Sequence, residues 1–189
     1  AQRESDRQEG RDKIDQEVGD YAASLVPKNA DGTPGVPTMR NLADATKFRA
    51  TRLAQAGYAD EAQKALADHV SVLNNVWTLE KRERDADLGK AQAQLGNGDP
   101  RGMMAWYKKY VPDGEHASTM HMTGQKDPTT GQPLWAIERQ SEDGKPLKPI
   151  LRTNEEIVAL ARSLDDPAVA QAYFATAATR NLEGRKVTA

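Results

Sequence analysis

Histidine, serine and carboxylate side chains are where catalytic or metal chemistry would have to start, because the 189 residues include no cysteine. The three histidines are His69, His116 and His121. His69 falls in a helical pattern. His116 and His121 are five apart, so on one strand they face opposite sides. No cysteine or carboxylate pair joins them into a metal-ligand set. Ser71, Ser118, Ser141 and Ser163 sit in no nucleophile-elbow motif. Two of the many acids could meet in space as a pair for sugar hydrolysis, but no spacing singles out a pair. Gly96-Asn97-Gly98-Asp99-Pro100-Arg101-Gly102 is glycine-rich. It follows a helix, lacks a Lys-Ser/Thr pair and misses the dinucleotide spacing, so it reads as a turn between helices. Gly96 suits a C-cap, Asp99 an N-cap and Pro100 a first helical position. Met103, Met104, Met120 and Met122 offer soft sulfur ligands, or ordinary core filling. Arg101, Tyr107, Lys108 and Lys109 make a small basic group, and Arg49 with Arg52 another, both balanced by nearby acids. The expectation is therefore a protein that is not an enzyme, with no cofactor, no metal and no small-molecule ligand.

Composition points the same way. Hydrophobic residues make up 38% and charged residues 29% of the chain, with a mean hydropathy of -0.77. Cores should be small and alanine-rich, and neighbours should supply part of the stability. A net charge of -2 creates no global field toward nucleic acid. No apolar run is long enough for a transmembrane helix. The first residues, Ala1-Gln2-Arg3-Glu4, are no signal peptide. A start at Ala1 fits either a removed Met or a piece of a longer protein.

The elements that would carry these residues follow from periodicity. Residues 1–37 read as an exposed helix, docked by Ile14, Val18, Tyr21, Ala22, Leu25 and Val26, then a Pro/Gly linker from Pro27 to Pro37. Residues 38–98 read as a helical hairpin with a long connecting helix. Thr38 caps its first helix, whose inner face is Leu42, Ala45, Phe48, Leu53 and Ala56. Gly57 turns the chain into one long helix from Tyr58 to Leu95. Its first half buries two stripes, Leu66-Val70-Leu73-Trp77 and Val72-Val76-Leu79. From Glu80 to Asp87 the pattern becomes a charged run, with Glu80–Arg84 and Lys81–Asp85 four apart. That run predicts a polar strut crossing solvent, and Trp77 marks the last well-buried turn before it.

Residues 99–189 read as a small α+β module. A short helix bears Met103, Met104, Trp106, Tyr107, Tyr110 and Val111, and Pro112-Asp113-Gly114 stops it. The period then changes to two. Strands are expected over His116–Thr123, Gln132–Gln140 (Trp135 and Ile137 on one face) and Lys145–Arg152. The turn Glu142-Asp143-Gly144 lies between the last two, and Pro146 and Pro149 confine the third strand to an edge. Thr153 and Glu156 form a capping box for a helix burying Ile157, Leu160, Ala161 and Leu164. Asp166-Pro167 opens a last helix with Val169, Ala172, Tyr173 and Phe174 inward. It should run to about Leu182 before a loose tail. The fold class is α+β, mostly helical: a helical hairpin with a long helix, then a three-stranded antiparallel meander flanked by helices. Trp77, Trp106, Tyr107, Trp135, Tyr173 and Phe174 are the candidate packing or interface anchors.

The stretch from Asp99-Pro-Arg-Gly-Met-Met-Ala-Trp-Tyr-Lys-Lys-Tyr110 through Val111-Pro-Asp-Gly114, with Asp143-Gly144-Lys145-Pro146, Thr153-Asn-Glu-Glu-Ile-Val-Ala-Leu-Ala161 and Asp166-Pro167, resembles a module in structural proteins of tailed bacteriophages. The likeness is to the large internal virion, or ejection, proteins of short-tailed phages, and covers roughly residues 99–182. It implies a virion component that self-associates and joins other virion proteins. Such a protein touches phage DNA at most indirectly, and passes into the host envelope or periplasm to assist DNA delivery. The resemblance supplies no catalytic residue. The alternatives are a cytoplasmic adaptor binding a partner through its helical hairpin, and a cell-wall hydrolase accessory.

Overall fold

In a computed structural model, residues 2–112, 117–141 and 144–186 are described. Among them the chain forms seven helices and three strands, a mostly helical α+β fold. It divides into two compact units, Ala1–Val76 with Phe174–Ala189, and Trp77–Tyr173.

The first unit contains α1 (Gln2–Leu25), α2 (Met39–Gln55) and most of α3 (Ala59–Leu79). Its core is small: Ile14, Ala50, Leu53, Ala62 and Ala65, with Val18, Ala54, Tyr58 and Leu66 packed against them. Alanine at the contacts lets helix axes approach closely, and the ring of Tyr21 stacks on Phe48 at 4.3 Å. Ion pairs rim the contacts: Arg11–Glu61 at 2.8 Å, Arg49–Asp15 at 3.0 Å and Arg52–Glu17 at 2.6 Å. Each is partly solvated and contributes modestly. Thr38 caps α2 as expected. Its hydroxyl accepts from the Asn41 N–H at 3.2 Å, while the Asn41 side chain accepts from the Thr38 N–H at 2.8 Å. Gly57, at φ +83°, closes α2 with the paired bonds Tyr58 N–H to Leu53 O and Gly57 N–H to Ala54 O, a Schellman end that needs a left-handed residue. The segment between α1 and α2 is a closed turn. Lys28 and Pro34 form an antiparallel bridge, and the Gly35 N–H donates to Pro27 O.

Two expectations for the hairpin are corrected. Leu42 and Ala56 are exposed, and the buried face of α2 is instead Ala43, Ala45, Ala50, Thr51 and Leu53. Small residues dominate that face because they, and not Leu42 in the first turn, permit close helix contact. The second correction is larger. The expected single helix Tyr58–Leu95 is two helices, α3 ending at Leu79 and α4 spanning Lys81–Gly96. Leu79, expected inside, is 72% exposed. Far from a polar strut, α4 buries Arg84, Leu88, Ala91 and Leu95.

In the second unit, α4 packs on α5 (Arg101–Tyr110) and on α6 (Asn154–Ser163). Between α4 and α5, Gly98 and not Gly96 takes the left-handed position, at φ +81°. Pro100 is the cap residue of α5, and the Asp99 carboxylate accepts from the Arg101 N–H at 3.1 Å. The sheet is the expected antiparallel meander in the order β1-β2-β3, with β1 Ala117–Lys126, β2 Pro133–Gln140 and β3 Pro146–Arg152. Met120, Ile137 and Ile150 are register partners, as are Met122, Trp135 and Arg152, so Trp135 and Ile137 share a face. That face carries the buried Met120 and Trp135, and α5 lies against β1 and α6 against β2. His116, Asp113-Gly114 and Glu142-Asp143 lie outside the described residues. Thr153 caps α6 by accepting from the Glu156 N–H at 3.2 Å.

The last helix, α7 (Pro167–Lys186), runs past the expected stop at Leu182; its residues to Tyr173 belong to the second unit and those from Phe174 to the first. Its buried residues are Ala170, Phe174, Ala177 and Ala178, spaced four, three and one apart. Val169 and Ala172 are exposed, and so is Leu160 of α6. The Asp166 carboxylate accepts from the Ala168 N–H at 2.8 Å and so caps the start of α7.

Candidate functional site

A dense polar arrangement among the described residues lies in the second unit, around Arg84. The residues come from three places. Trp77 lies in the last turn of α3, Lys81 and Arg84 sit in the first turn of α4, and Leu164 with Asp165 follows α6. The Arg84 guanidinium lies 3.6 Å over the Trp77 ring. One of its nitrogens donates to the Trp77 carbonyl and another to Asp165 Oδ1 at 3.1 Å. The Trp77 indole N–H donates to the Leu164 carbonyl at 2.6 Å. Lys81 Nζ reaches both Asp165 and Asp85, the latter at 3.0 Å. The Trp106 indole N–H donates to the Arg84 carbonyl at 3.1 Å. Arg84 is therefore bound at both its backbone and its guanidinium.

The electrostatics follow from position. The Arg84 side chain is 3% exposed, and burial disfavours its charge, against which Asp165 works. Asp165 is held below the usual carboxylate range, first by the Lys81 hydrogen bond and then by Arg84. The expected Lys81–Asp85 pair forms. The Arg84 guanidinium bonds Asp165, 81 residues away, and the charge of Glu80 also favours its protonated form. A second set of charges joins α4 to α5. Lys109 bonds Glu83 at 2.6 Å, and the Tyr110 hydroxyl donates to Asp87 at 2.8 Å. Those bonds raise the Lys109 ammonium and lower the Asp87 carboxyl from their usual ranges.

A cleft of about 350 Å³ opens beside Arg84, lined by Leu88, Gly89, Gln92, Trp106, Arg162 and Asp165 among others. Arg162 bonds Gln92 at 2.9 Å, and both also line a neighbouring groove of about 460 Å³ between α4 and α6. No group of three or more His, Asp or Glu among the described residues could hold a metal. The cluster's groups are committed to one another, and what they do is hold three elements together.

The six aromatic candidates have definite places. Trp77, Trp106, Trp135 and Phe174 are buried, and Tyr107 and Tyr173 are half-buried, their hydroxyls 3.1 Å apart. All three tryptophans lie in the second unit, and each indole N–H joins two elements. Trp135 donates to Asn154 of α6, as Trp77 and Trp106 donate to backbone carbonyls. Buried tryptophan needs such a partner. His69 is also internal. Its Nδ1 donates to the Ala43 carbonyl at 2.9 Å, and burial holds it neutral by lowering its pKa to about 4. Of the methionines, Met103 and Met120 are core and Met122 is half exposed.

Sequence reasoning missed Arg84 and Asp165. Arg84 was hidden in a run of alternating charge. No spacing signals the contact, because Trp77 and Arg84 lie on different helices. Compared with models of protein families, with curated proteins and with solved structures, the chain matches none.

Proposed function

We propose that this chain is a structural component of a tailed-phage virion, an internal protein that oligomerises and assists DNA delivery across the host envelope. The resemblance over residues 99–182 supports this reading. One structural observation carries its assembly aspect. Aliphatic side chains stand on the surface in both units: Val36, Met39 and Leu42 at the start of α2, and Leu147 and Leu151 on β3. Grouped exposed apolar residues suit burial against another protein. The small alanine-rich core of the first unit fits a subunit that neighbours stabilise. No described helix is long and apolar enough to cross a membrane.

Static light scattering over a concentration series tests the assembly step. The chain self-associates, and the triple change Val36→Ser, Met39→Ser and Leu42→Ser shifts it toward monomer. A compact wild-type monomer at high concentration refutes self-association.

A further inference from the structure

The sheet of the second unit has two edges, and they are built differently. On β3, Pro146 and Pro149 remove N–H groups, and Lys148 and Arg152 add positive charge. Its register with β2 also shifts, between Ile137 and Arg139. Proline, charge and irregular pairing are the devices that keep a further strand off an edge. The middle of β1 has none of them. Residues 117–125 include no proline and no Asp, Glu, Lys or Arg. Over residues 119–122 the strand pairs residue for residue with β2, and its register shifts lie outside that run. Among the described residues β1 pairs with β2 alone. Thr119, His121 and Met122 are exposed, Met122 at 50%. An open edge of this kind is a template for another chain.

We propose that the outer edge of β1 is a self-pairing site: a second copy of this chain adds its own β1, antiparallel across a two-fold axis, and joins the two sheets into one. This deepens the self-association proposed above and rests on it. The occupant follows from charge. Across a two-fold axis a strand meets itself, so a charge near the axis meets its own sign. A strand without formal charge through its middle suits that arrangement. The register follows from the faces. Opposed residues must share a face, and Met120 and Met122 lie on the face of Trp135 whereas His121 pairs with Ala136 on the other. The axis therefore falls at a residue and not between two. Centred on His121, the pairing sets Thr119 against the second copy's Thr123, Met120 against its Met122, and His121 against itself. The exposed side of Met122 is then covered by apolar surface. Gly124, at φ +75°, bends the strand and ends the contact.

Cross-linking and sedimentation of the full chain test it. The chain has no cysteine, so one introduced thiol reports one position. Directly opposed residues have Cα atoms about 4.5–5.5 Å apart, within disulfide reach. Under mild oxidation His121→Cys forms a disulfide-linked dimer several-fold faster than Lys148→Cys on β3. His121→Glu sets like charges against each other at the axis, beside Glu138, which lies 4.0 Å from His121. It raises the dissociation constant of the dimer about fivefold or more in sedimentation velocity. The His121 side chain is 54% exposed, so both variants fold, with tryptophan emission as the check. A self-associating chain in which His121→Cys links no faster than Lys148→Cys, or in which His121→Glu associates like wild type, overturns the edge pairing and leaves self-association standing. A monomeric wild type overturns both.

Discussion

Replacing Arg84 by alanine removes the side chain that, within the second unit, joins Trp77, α4 and Asp165, and the cost can be worked from its contacts. The charged bond to the Trp77 carbonyl contributes about 1.5–3 kcal/mol. The guanidinium over the indole, 3.6 Å from the ring centroid, adds about 1–2 kcal/mol. The bond to Asp165 adds at most about 1 kcal/mol, because that carboxylate is 40% exposed and keeps Lys81. Against these, water that reaches the freed Trp77 carbonyl returns about 0.5–1.5 kcal/mol. The net loss is about 3 kcal/mol. All three tryptophans lie in this unit, so tryptophan fluorescence during urea unfolding reports on it selectively. At a slope of about 1–3 kcal/mol per molar urea, the midpoint falls by about 1–3 M. A loss below about 1 kcal/mol would show that Arg84 acts as an ordinary surface charge, and would refute the account of it as a buried tie between Trp77 and Asp165.

Other changes test the rest of the fold. His69 is neutral in the folded chain, with its pKa lowered from 6.5 to about 4, so the unfolded chain binds the extra proton. The His69 contribution to stability is therefore full above pH 6.5, falls as pH drops toward about 4 and changes no further below it. The loss is roughly 3 kcal/mol, and His69→Gln flattens that slope in denaturant titrations at each pH. Gly57→Ala meets open space yet must hold φ +83°, so its loss of about 1 kcal/mol in thermal or urea melts is purely conformational. Thr153→Ala removes a buried cap of α6 and costs about 1–2 kcal/mol by the same melts. Leu53→Ala opens the small core of the first unit and costs about 2–4 kcal/mol, followed by far-UV circular dichroism.

What the sequence made legible was local. Thr38 and Thr153 announce helix starts because a hydroxyl three residues before a backbone N–H can reach it. Gly57 marks a helix end because only glycine enters the left-handed region cheaply. The change of period at β1 and the prolines of β3 define the meander and its edge. The misses share a physical cause as well. α3 ends at Leu79, and Arg84 just beyond it finds a carbonyl behind it and a carboxylate 81 residues ahead. Neither contact leaves a trace in helix propensity, where Leu79 through Glu83 all favour continuation. The rotated faces of α2 and α7 fail for a related reason. Periodicity favoured large residues such as Leu42 and Val169, whereas Ala50, Ala170 and Ala177 are buried because small side chains bring helices together. The candidate site was the least legible part, since its members are spread from Trp77 to Asp165.

The assignment to a virion is tested most directly by mass spectrometry of purified phage particles from the source of this chain. The account predicts peptides of this chain inside intact particles, protected from added protease and present in several copies per particle. Their absence from particles, while the protein is abundant in the lysate, would contradict it.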